Sequence, residues 1–393
     1  MKQYFSPIDL ASFHLVADNG MDYLSSHIDS YLYGGDFPDL HQSRLVLFGV
    51  PEDRAAVRNK GCADAARHIR AKLYALAAPC DETRMADLGD LVPGATPSDT
   101  YVALAHVCSE LLAMGKTILV LGGGQDLTFA LYQGYAQQAH ILNIASVDAR
   151  FDLGDGDDVN SRNYMKHIIM QKPNYLFHHT NVGFQTYFVG PHYIKLMQEL
   201  RFQSYRLGQI QGDIMSAEPV MRNADMVTVD MSAVRQSDAP AHGDGSPHGF
   251  YGEQLCQLFR FAGMSDKTSC LLLSELNPVY DRDEQSAHLA AHALWYFIEG
   301  FFARKSDFPY RDKENYKRYS VQLKDFTEPI LFYKSKKSDR WWMEVPCDDE
   351  ERRVHYGQQL LIPCTYGDYE RAMQNEIPET WLLYYHWIND EPC

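Results

Sequence analysis

Four apolar runs in this 393-residue sequence stop in polar clusters that could hold a cation or move a proton. In Val147-Asp148-Ala149-Arg150-Phe151-Asp152, alternation along an extended chain sets Asp148, Arg150 and Asp152 on one face, two carboxylates flanking a guanidinium. Val227-Thr228-Val229-Asp230-Met231-Ser232 again ends in a carboxylate, with a hydroxyl two residues later. Leu273-Ser274-Glu275-Leu276-Asn277-Pro278 stops at Glu275 and a proline, and Leu121-Gly122-Gly123-Gly124-Gln125-Asp126 brings Gln125 and Asp126 out of a glycine turn. That turn has neither the GxGxxG order nor the Lys-Ser/Thr of a P-loop, which argues against a nucleotide.

Segments so far apart in sequence share a site only if the elements carrying them end on one edge. Strands are predicted at 44–50, 116–121, 141–147, 181–183, 226–229 and 269–273, and helices at 63–76, 102–114, 127–138, 252–263 and 285–302. This alternation predicts an α/β fold with a doubly wound, mostly parallel sheet, whose ligands sit beyond the carboxyl ends of the strands. Residues 1–44 read as an N-terminal extension, 45–305 as the α/β domain and 306–393 as an aromatic-rich α+β extension with a hairpin around Lys334 to Asp339. Within that extension the expectation is that Trp341 and Trp342 pack inward, while the end from Trp381 to Trp387 lies nearer an interface.

With 45% hydrophobic residues and 12% aromatics the chain can bury a core, which excludes general disorder. A formal charge of -16 opposes nucleic acid and anionic lipid, and no apolar run is long enough for membrane insertion. Eight scattered cysteines without a CxxC pair point to a reducing, cytoplasmic setting. Weaker candidates are His288 and His292 on a helix face, His178 and His179 as loop residues, Cys62 as an unsupported thiol nucleophile, and the loop 241–249 as a possible cover.

Taken in order, these segments resemble the ureohydrolase family (arginase, agmatinase, formimidoylglutamase), from about Arg44 to Phe302. Phe48-Gly49-Val50-Pro51 with Gly61 and Ile69-Arg70 resembles the family's first βα unit. Gly122 to Asp126 resembles its Gly-Gly-Asp/Gly-His turn, Asp148 to Asp152 its Asp-Ala-His-x-Asp, Val227 to Ser232 its Asp-x-Asp strand, and Ser274 to Pro278 its Glu-x-Asn-Pro segment. Gly124 to Thr128 and Ser232 to Pro240 are similar to a bacterial arginase-like side branch.

The resemblance implies a site for two Mn2+ held by two histidines and four aspartates, acting on a guanidino or formimino carbon. Asp148, Asp152 and Asp230 keep the implied ligand positions, whereas Gln125 and Arg150 stand where the histidines belong and Ser232 where an aspartate belongs. Glu275 stands where a carboxylate would hold the substrate's guanidinium. Because Arg150 is always charged, it is predicted to pair with at least two of the three aspartates and to replace a metal. The expected cofactor is therefore none, with one Mg2+ or Ca2+ as the alternative and two Mn2+ disfavoured. On this reading the chain is a pseudoenzyme with a degenerate metal site, a cytoplasmic binding or assembly component that meets a protein partner or itself. The alternative is a C–N hydrolase of linear amidines with an altered metal site.

Overall fold

The computed structural model describes residues 1–9, 22–309, 313–324 and 326–389. The strands, in chain order, are β1 (Phe5–Ser6), β2 (Ile28–Ser30), β3 (Leu45–Gly49), β4 (Met85–Leu91), β5 (Thr117–Leu121), β6 (Leu142–Val147), β7 (Leu176–Phe184), β8 (Gln203–Arg206), β9 (Met226–Asp230) and β10 (Cys270–Ser274). They form one sheet ordered β1-β4-β3-β5-β10-β9-β6-β7-β8, with β2 also on β4, and all pairings are parallel except β1 with β4. Apolar residues on both faces of these strands are covered by helices, as a parallel sheet requires. The helices Ala65–Leu73, Gly252–Gly263 and Gln285–Phe302 pack on one face, and Pro97–Ala113, Leu127–Gln137 and Tyr164–Met170 on the other.

Four strands of this sheet, β1, β2, β4 and β8, have no counterpart among those predicted, and β4 is the longest of them. Met85-Ala86-Asp87-Leu88-Gly89-Asp90-Leu91 forms β4 although Asp87 lies in its buried centre. The buried Arg70 compensates that charge, donating from Nε to Asp87 at 2.7 Å and pairing also with Asp90. Similarly β7 runs over nine residues and contains His178 and His179, which are buried strand residues and not the loop residues expected. Burial pushes the pKa of both rings down to about 3, so they pack as neutral side chains.

The helix Pro97–Ala113 starts five residues before the apolar period suggests, because Thr96 and Asp99 close a capping box around Pro97. Replacing Thr96 with alanine removes the acceptor for the Asp99 N–H, and the expected loss is about 1 kcal/mol in urea unfolding.

The C-terminal residues build a second, antiparallel sheet of β11 (Tyr316–Val321), β12 (Ile330–Ser335), β13 (Trp341–Glu344) and β14 (Leu361–Cys364), in that order. The β12–β13 pair is the predicted hairpin, and Trp341 and Trp342 are buried in it. Trp381, expected near an interface, is buried as well. It donates to the Glu344 carbonyl at 2.8 Å and stacks on Tyr385, while Trp387 reaches Phe177 of β7 and Phe202. An indole that finds both an acceptor and an aromatic stack inside the protein is better buried than exposed.

Candidate active site

The four chemistry-bearing segments leave four adjacent strands. Gln125 follows β5, Glu275 follows β10, Asp230 ends β9 and Asp148 follows β6, and the sheet orders these strands β5-β10-β9-β6. The glycine turn makes the first of these exits possible. Gly122 and Gly123 have φ of +80° and +73°, and a Cβ on Gly123 would meet the Glu52 and Val50 carbonyl oxygens at 2.8 and 2.9 Å. Two carboxylate-bearing residues of the site also have positive φ, Asp152 at +48° and Glu275 at +63°. Such backbone is costly for residues other than glycine and concentrates at working sites.

Each predicted residue has a defined environment. Glu275 Oε1 accepts the Gln125 N–H at 3.0 Å and Oε2 accepts from Asn59 Nδ2 at 2.7 Å, and Asn277 in turn donates to Asn59. Gln125 donates to the Tyr164 hydroxyl at 3.0 Å, Asp148 accepts the Arg150 N–H at 2.8 Å and Asp230 accepts the Ser232 N–H at 2.6 Å. These bonds leave the buried Gln125 Oε1 and Ser232 Oγ without hydrogen-bond partners, while, beyond the Arg150 N–H, the side chains of Asp148 and Asp152 have only a hydrogen bond to each other. A group that brings positive charge is the natural complement.

Arg150 is not that group. Its guanidinium lies over the Phe188 ring at 4.2 Å, and it makes no ion pair with Asp148, Asp152 or Asp230. The turn after Asp148 carries its side chain onto an aromatic face, where a cation is also stabilised. The arginine beside the cluster is Arg162, which the sequence did not single out. Its Nη1 stands 3.9 Å from Asp152 Oδ1, and its Nη2 stands 3.6 Å from Asp244 Oδ2. Burial works against its charge, but Asp152, Asp230 and Asp148 outweigh burial and hold it firmly protonated. The polar stretch from Gly154 to Asn160 gives no period by which Arg162 could be placed.

An imidazole is present too, from a position that the motif comparison did not indicate. His242, in the loop 241–249, is buried with Nε2 at 3.8 Å from both Asp230 Oδ1 and Glu275 Oε2. Its Nδ1 accepts the Asp244 N–H at 2.8 Å, which assigns the proton of the neutral ring to Nε2 and aims an N–H at the two carboxylates. Burial lowers the His242 pKa although Asp230 opposes this, so the ring is neutral near pH 7. The other histidine pair, His288 and His292, lies on an exposed helix face, and Cys62 is buried with its thiol pKa pushed up by burial and by Glu275.

Like charges crowd this edge. Burial, then Asp152 and Asp230, raises the pKa of Asp148 well above the ordinary carboxylate range. Burial and the charge of Asp230 push Glu275 up to about 8, and burial pushes Asp126 up to about 7. In the metal-free protein both groups hold protons that the unfolded chain loses near 4.5 and 3.8. Their contribution is therefore complete below those values and is lost as pH rises through about 7 to 8. Stability is expected to fall from pH 6 to pH 8.5 by up to about 1.4 kcal/mol per pH unit per group, and Glu275→Gln to flatten the slope. Urea unfolding across that range checks this, and a stability that rises with pH would contradict it.

The donors suit a divalent ion. Carboxylate, amide and hydroxyl oxygens from Asp148, Asp152, Asp230, Gln125 and Ser232 match the preference of Mn2+ as well as of Mg2+ and Ca2+. As the side chains stand, no three His, Cys, Asp or Glu groups among the described residues are placed to hold a metal ion.

Comparison with known proteins places the chain. The model of the Arginase family matches residues 43–299, and the chain belongs to that family. Formimidoylglutamase of Staphylococcus epidermidis is 25% identical over 274 residues, covering 66% of this chain and 86% of that protein. The structure resembles Bacillus subtilis formimidoylglutamase (TM-score 0.66, 19% identity, 74% of this chain and 95% of the other). It also resembles Trypanosoma cruzi formiminoglutamase with Mn2+2 (TM-score 0.63, 18% identity, 68% and 100%).

These relatives correct the cofactor expectation, in which no metal came first, one Mg2+ or Ca2+ second and two Mn2+ last. A solved structure with this fold holds Mn2+2. The physical reason given for disfavouring manganese also fails, since an oxygen donor set suits that ion without the missing imidazoles.

Proposed function

We propose that the chain is a metal-assisted C–N hydrolase of linear amidines, of the formimidoylglutamase type. The observation that carries the proposal is the row of buried carboxylates Asp148, Asp152, Asp230 and Glu275 on adjacent strand ends, with Gln125 Oε1 and Ser232 Oγ lacking partners, in a member of the Arginase family. Asp148, Asp152 and Asp230 with Gln125 and Ser232 would hold the ion. When bound, it would supply the positive charge that makes water acidic enough to act as a nucleophile near neutral pH.

The chain's own groups divide the remaining work. Glu275, fixed by Gln125 N–H and Asn59, accepts from the amidinium of the substrate and so orients its carbon. His242, neutral with its Nε2–H aimed between Asp230 and Glu275, is placed to donate a hydrogen bond that positions these carboxylates against the substrate. The seven described cysteines are free, which supports a reducing compartment such as the cytoplasm. No helix among the described residues is long and apolar enough to cross a membrane.

A second reading, a binding component without turnover, draws on Gln125, Arg150 and Ser232 at the three altered ligand positions. Incubation with Mn2+ and a panel of formimino and guanidino compounds, assayed for formamide, urea and ammonia, separates the two. Mn2+-dependent release of one product supports the hydrolase. Tight binding of a panel member without any product supports the second reading.

A further inference from the structure

The orphaned donor of Arg162 carries a further inference about how this site admits a metal, and it rests on the metal-assisted reading above. Arg162 Nη1 is buried without a hydrogen-bond partner, 3.9 Å from Asp152 Oδ1, while Nη2 stands 3.6 Å from Asp244 Oδ2. The guanidinium is thus shared between the buried carboxylate cluster and the loop 241–249. Asp244 is partly exposed, is approached from outside by Arg58 at 3.7 Å, and donates its N–H to His242. We infer that Arg162 is a tethered counter-ion: it neutralises the cluster when no metal is bound, and it withdraws towards Asp244 when a divalent ion takes its place.

The charges facing this arginine agree with that role. Asp148, Asp152 and Asp230 share one positive group among them, so a cation entering the cluster meets like charge at a few ångströms until Arg162 moves. Asp244 gives the displaced guanidinium a carboxylate within reach, so displacement does not strand a buried charge. Since Asp244 also holds His242 Nδ1, the same movement links occupancy of the cluster to the loop that carries the imidazole.

The test is Mn2+ binding to the full chain, followed by the electron paramagnetic resonance signal of free Mn2+, for the wild type, Arg162→Gln, Arg162→Lys and Asp244→Asn. Arg162→Gln is expected to bind at least about tenfold more tightly, the effect of removing one like charge at this range, and Arg162→Lys to stay near the wild type. Asp244→Asn, which removes the outer partner, is expected to bind several-fold more weakly. Should the glutamine variant not fold, the lysine and Asp244→Asn variants still decide, since a lysine variant as weak as an unrelated cavity mutant or an unchanged Asp244→Asn affinity overturns the inference. A wild type that binds Mn2+ with Arg162→Gln no tighter overturns it and leaves the hydrolase reading standing. No Mn2+ binding by either protein at millimolar concentration removes both.

Discussion

Asp152→Asn is expected to lower Mn2+-dependent C–N hydrolysis roughly 10²–10³-fold and to raise the melting temperature of the metal-free protein. Both signs follow from one geometry. Asp152 is buried beside Asp148 and Asp230, its only side-chain hydrogen bond is with Asp148, and its charge helps to raise the Asp148 pKa. An amide in its place relieves that repulsion and tolerates the φ of +48°, because asparagine is among the residues that accept left-handed backbone. The long contact from Arg162, 3.9 Å, is lost, but that guanidinium keeps Asp244. The amide cannot supply the negative charge that a metal ion needs, so the stabilisation by Mn2+ seen as a shift in melting temperature should disappear with activity. Scanning calorimetry with and without Mn2+, beside the product assay, checks the pair of effects. Activity within threefold of the wild type would show that Asp152 holds no essential ligand.

The largest loss of stability is expected at Arg70→Ala. The side chain is fully buried and gives two hydrogen bonds to Asp87, at 2.7 and 3.0 Å, one to the Gly89 carbonyl at 2.8 Å and one to Asp90. Tyr74 donates to the same Asp87 carboxylate at 2.7 Å. Without Arg70, Asp87 is a carboxylate in the middle of β4 with only a hydroxyl and one backbone N–H against its charge, and the expected cost is about 3–5 kcal/mol. Changing both residues, Arg70→Met with Asp87→Leu, should recover most of that loss, because an apolar pair has no charge to compensate. Urea midpoints of the single and double variants measure the difference, and a single-variant loss below 1 kcal/mol would refute the assignment.

This pair also shows where the sequence was legible and where it was not. Continuous apolar runs such as Thr117–Leu121 and Cys270–Ser274 announce buried parallel strands, and their polar stops announce the edge that carries the candidate site. Strand β4 hides because Asp87 and Asp90 break the apolar pattern, and the compensating arginine lies on a helix that the period reads only as amphipathic. In the site, Gln125, Asp148, Asp230, Ser232 and Glu275 lie within a few residues of strand ends, whereas Asp152, five residues past the end of β6 at Val147, was placed by its motif and not by the strand. Arg150 was misplaced because alternation was carried past the end of β6 at Val147, where the chain is no longer extended in register. Arg162 and His242 come from irregular loops, whose path is set by tertiary contacts such as the Asp244 bonds and not by any local period.

The central claim is that the strand-end carboxylates form a centre that works with a divalent ion. Crystals of the full chain grown with Mn2+ and measured at the manganese absorption edge test it most directly. The expected result is anomalous density within coordination distance of Asp148, Asp152 and Asp230, with Arg162 turned towards Asp244. Anomalous density elsewhere only, with Arg162 still lying beside Asp152 in a fully Mn2+-saturated solution, would contradict it.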